Sequence, residues 1–201
     1  MILLSDFYFR ILIVLFAIKL IITNMDLIEY FPLVNENGDI IGKATRTECH
    51  SGTFLLHPVV HLHVFNSKGQ LYLQKRAMNK DIQPGKWDTS VGGHVDFREK
   101  IEEALTREVR EELGILIFVP QFIIRYKFKS NVEAELVHSY FTKYDGDIII
   151  DKTEISEGKF WEITEIENSL GKEIFTPNFE LEWTSILRDK IPEILNVYLK
   201  Y

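Results

Sequence analysis

The sequence predicts an α/β layered domain, and three patterns carry that reading. Short apolar runs recur from Leu27 onward, separated by turns such as "ENGD", "SKG" and "DGD", as strands joined by tight connections require. One segment, from about Glu99 to Leu113, instead repeats Ile101, Leu105, Val109 and Leu113 every four residues, which puts an apolar stripe along a helix. Further strands follow that helix, and strands mixed with helices around a sheet give packed layers.

Taken in order, "EYFPLV", "ENGD" and "IIGKATR" read as a hairpin with an Asn-Gly turn. "PVVHLHVFN", "SKG" and "QLYLQKRA" read as a second hairpin. After Pro84 and Gly85, "KWDTSVGGHV" reads as a short strand running into a Gly-Gly turn. The helix over Glu99–Leu113 ends at Gly114. "ILIFVPQFIIRYKFK", "EAELVHSYFTKY" and, after "DGD", "IIID" continue the sheet, and "GKFWEIT" adds a last strand. "TPNFELEWTSILRDKIPEILNVYL" closes the chain as a helix starting at Pro177, where a proline's fixed φ suits the first helical position. No internal repeat or low-complexity run is present.

With 201 residues, 46% hydrophobic and 26% charged, the chain fits one globular domain with little room for a second. A net charge of −7 provides no broad positive field, so nucleic acid is not an expected partner. The lone cysteine, Cys49, has no internal disulfide partner, which fits a reducing compartment; the expected location is the cytoplasm. Residues 1–24, "MILLSDFYFRILIVLFAIKLIITN", are apolar but interrupted by Arg10 and Lys19, short of the uncharged run of roughly 18 to 20 residues that a membrane span needs. Three readings fit them: a weak anchor, an extra helix on the domain, or a start codon upstream of the true one at Met25. The last is the expectation, with the domain over residues 25–201 and no membrane association unless the extension is a true anchor.

The helix at 99–113 collects carboxylates, and Glu108, Glu111 and Glu112 at i, i+3 and i+4 share an arc of about 100° on the side away from most of the apolar stripe. A solvated acidic face is the bland explanation. Two features oppose it: the repulsion is concentrated late in the helix, where the macrodipole already disfavours anions, and a Gly-rich stretch precedes the helix. A divalent cation offsets both penalties, and clustered hard oxygen ligands suit Mg²⁺ or Mn²⁺ completed by water and phosphate oxygens.

The spacing is more specific than the composition. From Gly93 the chain reads G-x5-E-x7-R-E-U-x-E-E-x-G-U, where U is aliphatic, with Gly93, Glu99, Arg107, Glu108, Val109, Glu111, Glu112, Gly114 and Ile115 at the fixed positions. Seven fixed identities at roughly 6% usage each would coincide by chance on the order of 10⁻⁹ per window, so the match is not accidental. The stretch resembles the Nudix box without a departure. That resemblance implies a Nudix fold, an α/β/α sandwich with a mixed sheet, and hydrolysis of a diphosphate linked to another moiety in a small metabolite. It further implies Mg²⁺ or Mn²⁺ held by Glu108, Glu111 and Glu112 with the Gly93 carbonyl, and Glu99 and Arg107 orienting them. Glu111 and Glu112 are the expected ligands, with Glu108 open as ligand or base. Homodimers are common in such a family, so a homodimer is a further expectation.

A narrower likeness extends over most of residues 28–165. "HPVVHLHVFNSKGQLYLQKRAMNKDIQPGKWDTSVGGHV" is similar to isopentenyl-diphosphate isomerases and the Nudix hydrolases like them. The resemblance implies a second, transition-metal site from His50, His57, His94, Glu133 and Glu135, a donor set suited to Mn²⁺, Zn²⁺ or Fe²⁺. It also implies diphosphate contacts from Arg76 and Lys80, which otherwise read as a solvated loop. His61 and His63 read as packed or surface residues rather than ligands. Arg125, Lys127 and Lys129 read equally as a phosphate-facing edge or as protection of a sheet edge. Trp87 and Trp161 read as core. The isomerase's cysteine is missing: Gly92 stands where it should precede the Gly-His pair, and glycine has no side chain to move a proton. That departure and the complete box favour hydrolysis over two rivals, an isomerase variant and a non-catalytic sensor of a nucleotide metabolite.

Overall fold

In a computed structural model, residues 28–80 and 82–198 are described, and the apolar segment 1–24 lies outside them. Strands β1 (Tyr30–Val34) and β2 (Ile40–Thr45) form the expected antiparallel hairpin, its turn closed by the Gly38 N–H donating to the Asn35 carbonyl with Gly38 at φ 85°. A four-residue helix α1 (Arg46–Cys49) follows, capped by Thr45, whose hydroxyl accepts from the Glu48 N–H.

The main sheet is mixed. β3 (Leu56–Phe65) pairs in parallel with β8 (Ala134–Lys143) and antiparallel with β4 (Leu71–Arg76) and β6 (Val91–His94). β7 (Gln121–Lys129) adds to β8, and β9 (Ile155–Trp161) and the two-residue β5 (Trp87–Asp88) add to β4, all antiparallel. Alternation along β3 explains the layers. Val60, Leu62 and Val64 face helix α2 (Ile101–Leu113) and pack with Leu105, Val109 and Leu113. Phe65 packs on the opposite face in a cluster with Leu73, Trp87, Trp161, Phe179, Trp183 and Leu187. That second layer comprises α3 (Ile163–Ser169), α4 (Pro177–Glu182), a π-helical turn Trp183–Leu187 and α5 (Arg188–Tyr198). Helices therefore cover both faces of a mixed sheet, the predicted sandwich. Trp87 and Trp161 are core residues, stacked edge to face at 5.1 Å.

Four elements differ from expectation. Gly92 and Gly93 form no turn; they lie inside β6, opposite His61 and Val60 of β3. The smallness of Gly93 serves close approach, since a Cβ there would collide with the Glu108 carboxyl. "IIID" joins no strand. Its backbone satisfies the end of α2 instead, with the N–H groups of Ile149 and Asp151 donating to the Leu113 and Glu112 carbonyls at 2.9 and 3.0 Å. Finally, α1 and α3 are too short to show a helical period and were not expected.

Candidate active site

The carboxylate helix runs beneath β6, and its last two turns meet Gly92–His94. Arg107 organises the cluster. Its Nε and Nη2 donate to the two oxygens of Glu99 at 2.8 Å each, Nη1 donates to Glu108 at 2.7 Å and to Glu111 at 3.3 Å, and Nη2 also reaches the His94 carbonyl at 3.0 Å. The planar guanidinium thus fixes three carboxylates and one carbonyl of β6 at once, which lysine could not do. Glu99 is also held by the Asp96 N–H at 3.0 Å, and it stays below the usual carboxylate range because Arg107 and that N–H outweigh its burial.

Glu112 departs from the simple picture of an acidic face turned away from the apolar stripe. It lies on the buried side of α2, where Gln74 Nε2 donates to it at 3.1 Å and the Gly92 N–H at 3.4 Å. The helical angle explains this: at 100° per residue, position 112 falls about 20° from Ile101 and within the stripe. Burial, then the neighbouring Glu108 charge, pushes the Glu112 carboxyl up to about 8. Glu108 is raised as well, by burial against the opposing pull of Arg107. Glu111 is exposed. Buried carboxyls that burial and each other's charge make reluctant to ionise are what a cation relieves, so the donor set fits a hard divalent ion.

Beyond β6 lies a second cluster. One donor atom each from His50, His57, His94 and Glu133 lies within 4.8 Å of the others. His50 Nε2 is 3.1 Å from both His94 Nε2 and Glu133 Oε2. His57 Nδ1–H donates to the Leu55 carbonyl at 2.9 Å, which fixes its tautomer and leaves the buried Nε2 without a partner. Burial keeps His57 and His94 below the ordinary imidazole range, so their lone pairs are available for coordination. Phe31 stacks on His94 at 4.4 Å and on His57 at 5.5 Å, holding the rings. Three nitrogens and an oxygen, with His57 Nε2 and Glu133 Oε2 both lacking a hydrogen-bond partner, fit a transition metal. Glu135 is not among the four; its Oε2 accepts from Asn178 Nδ2 at 3.0 Å, and burial and then Glu133 push its carboxyl up to about 8.

Two adjoining clefts of about 740 and 620 Å³ open over these clusters and share Arg46, Arg76, Lys80, Gly92, Gly93 and His94. Arg76 donates to the Ile82 carbonyl and pairs with Asp88 at 3.3 Å; Lys80 pairs with Glu154. Arg46 belongs to this rim too and was missed; it sits in the capped turn leading into His50, and only that adjacency could have drawn notice. Of the basic residues on β7, Arg125 and Lys127 hold the β1–β2 turn through the Asn37 carbonyl and Glu36, whereas Lys129 lies over Phe54 and lines the larger cleft. His61 and His63 are packed, as expected, but onto a buried Glu182 that nothing in their spacing announced. Cys49 is buried beside Phe31 and Ala44, lines neither cleft, and burial pushes its thiol up to about 11.

Comparison with known proteins agrees with this architecture. The NUDIX domain family model matches residues 55–179. Isopentenyl-diphosphate Delta-isomerase 1 of Photorhabdus laumondii is 30% identical, over 83% of this chain and 99% of its own length. A Nudix hydrolase of Listeria monocytogenes is 34% identical, over 76% and 91%. Among solved structures, a Deinococcus radiodurans protein superposes with a TM-score of 0.65 at 28% identity, covering 76% of this chain and 96% of that one. A MutT protein of Methanosarcina mazei does so with 0.54 at 26%, covering 73% and 96%. The chain belongs to the Nudix family. It is a hydrolase of that family, related to the isopentenyl-diphosphate isomerases, and its chemistry is hydrolysis of diphosphate-containing substrates. Among the described residues no helix is long and apolar enough to cross a membrane.

Proposed function

We propose that this protein uses Mg²⁺ or Mn²⁺ to hydrolyse the diphosphate linkage of a small phosphorylated metabolite, with Glu108, Glu111, Glu112 and the Gly93 carbonyl as the metal-holding set. The observation that supports this most is Arg107 tying Glu99, Glu108, Glu111 and the His94 carbonyl together beside a buried Glu112. A bound divalent ion there would neutralise diphosphate charge and lower the pKa of a bound water. The chain's own groups supply the rest. Arg46, Arg76 and Lys80 line both clefts and offer three cations to phosphate oxygens. Arg107 and Glu99 keep the carboxylates aimed, and Glu108 is either a further ligand or the group that takes a proton from the attacking water. His50, His57, His94 and Glu133, with Glu135 next to them in the larger cleft, form the proposed transition-metal site.

Two observations favour a second reading. The His-rich cluster and the likeness to a protein named as an isopentenyl-diphosphate isomerase point towards allylic proton transfer. Against it, Gly92 offers no acid or base, and Cys49 is buried and lines neither cleft. The discriminating experiment incubates the protein with dinucleotides, nucleotide sugars, nucleoside triphosphates and isopentenyl diphosphate in Mg²⁺ or Mn²⁺, and reads products by phosphorus NMR. Divalent-dependent release of phosphate or a nucleotide is expected. Allylic rearrangement without phosphorus release would establish the rival.

A further inference from the structure

Strand register sets a puzzle at Glu135. In the parallel pairing of β3 with β8, His57 lies directly opposite Glu135, whereas Glu133 stands one residue before β8 begins. Register alone would therefore add Glu135 to the nitrogen cluster ahead of Glu133. The donor atoms that converge are nonetheless those of His50, His57, His94 and Glu133. Burial does not separate the two carboxyls, since Glu135 is 8% exposed and Glu133 5%.

What separates them is a side chain from the C-terminal helical layer. Asn178 Nδ2 donates to Glu135 Oε2 at 3.0 Å, and Asn178 Oδ1 accepts from the Tyr126 hydroxyl at 3.0 Å. The amide is thus oriented by partners on two neighbouring strands, β7 and β8, and the hydroxyl leaves only Nδ2 to face the carboxyl. Its backbone is fixed as well. Asn178 follows Pro177 in the first turn of α4, and Thr176 caps that helix by accepting from the Phe179 N–H at 3.2 Å while donating to Asp88 Oδ1 at 2.8 Å. The Thr176 N–H donates to the Trp87 carbonyl at 2.9 Å, which ties the same turn to the sheet. Glu133 has no such tether, and its buried Oε2 has no hydrogen-bond partner.

We propose that Asn178 is a positioning residue that keeps Glu135 out of the metal's coordination, so that the nitrogen cluster is a four-donor site and Glu135 remains a free carboxyl on the wall of the larger cleft. The inference rests on the transition-metal reading of that cluster and departs from the five-donor set that the family resemblance implies. Three imidazole nitrogens and one carboxylate oxygen are a donor set of the Zn²⁺ kind, whereas a second carboxylate would move the site towards ions that take more and harder ligands. One amide of α4 thereby decides which of two neighbouring carboxyls meets the ion.

Co²⁺ is the probe, because its visible absorption weakens as the number of donors around it rises. It is added to metal-stripped protein with Mg²⁺ in excess to occupy the carboxylate helix. Affinity and spectrum are read for wild type, Glu133→Gln, Glu135→Gln, Asn178→Ala and the double variant Asn178→Ala with Glu135→Gln. Glu135→Gln should bind Co²⁺ within about threefold of wild type and with the same spectrum, while Glu133→Gln loses about a hundredfold. In Asn178→Ala the freed Glu135 joins the ion and visible absorption falls. The double variant should regain the wild-type spectrum, which a general loosening of the fold could not produce. A loss in Glu135→Gln as large as in Glu133→Gln, or an Asn178→Ala spectrum identical to wild type, would overturn the assignment. If Asn178→Ala does not fold, the contrast between the two glutamine variants still decides. Wild type that binds no Co²⁺ would instead refute the transition-metal reading, and the role of Asn178 with it.

Discussion

The two donor clusters lie on either side of one strand and are built in opposite ways. The carboxylate cluster comes from one continuous helix, contains oxygen donors only, opens to solvent at Glu111 and is braced by a single arginine. The histidine cluster is drawn from the residue that caps α1, from β3 and β6, and from the residue just before β8, is mostly buried, and is braced by ring stacking on Phe31. β6 serves both, with Gly93 packed on Glu108 and His94 turned into the nitrogen cluster. On the reading proposed above, the difference would let one strand keep two metal chemistries apart, with hard oxygens for an ion that meets phosphate and fixed imidazoles for an ion held in the fold.

The largest effect should come from the oxygen side. Glu112→Gln keeps the contacts to Gln74 and Gly92 in shape but removes the charge, and kcat should fall about a hundredfold or more with the melting temperature preserved. Near-normal turnover would end the distinction between the clusters. Next, His57→Phe removes the orphaned Nε2 while keeping a ring against Phe31. Transition-metal affinity by calorimetry should drop on the order of a hundredfold, with Mg²⁺-supported hydrolysis changed far less. If both fall together, the clusters work as one unit.

Arg107→Lys tests the brace. Losing the fork to Glu99 should cost about 2 kcal/mol of stability and roughly tenfold in turnover, read from denaturant titration and initial rates. An unchanged kcat would make Arg107 structural only. The smallest effect concerns pH. Glu112 and Glu135 are pushed up to about 8 from an ordinary 4.5, so their neutral forms favour the fold. This contribution is complete below about pH 4.5 and is lost as the pH rises through about 8. Metal-stripped protein should therefore melt several degrees lower at pH 9 than at pH 6, and Mg²⁺ or Mn²⁺ should narrow the gap by favouring ionised carboxylates. A melting temperature independent of pH and metal would contradict the burial argument.

How much of this the sequence discloses follows from the same contrast. The carboxylate cluster is contiguous, so its spacing and stripe expose both helix and motif, and Gly114 at φ 66° ends the helix where expected. The histidine cluster spans residues 50 to 133 and is joined by strand register, Val59 opposite His94 and His57 opposite Glu135, which no local pattern reveals; likeness to a known family supplied it. Adjacent glycines usually signal a turn, whereas at Gly93 a carboxyl from another element needs the room. "IIID" was misread because an apolar run in a segment that caps a helix looks like a strand. Glu182, 121 residues from His61, could be found only by folding the chain.

The most direct test of the central claim is phosphorus NMR of the substrate panel with protein first stripped of divalent ions and then titrated with Mg²⁺ or Mn²⁺. Hydrolysis should be absent in the stripped sample, rise to saturation as metal is returned, and stay near baseline throughout in Glu112→Gln. Cleavage at full rate by the stripped protein, or an equal response to metal in the variant, would contradict the account.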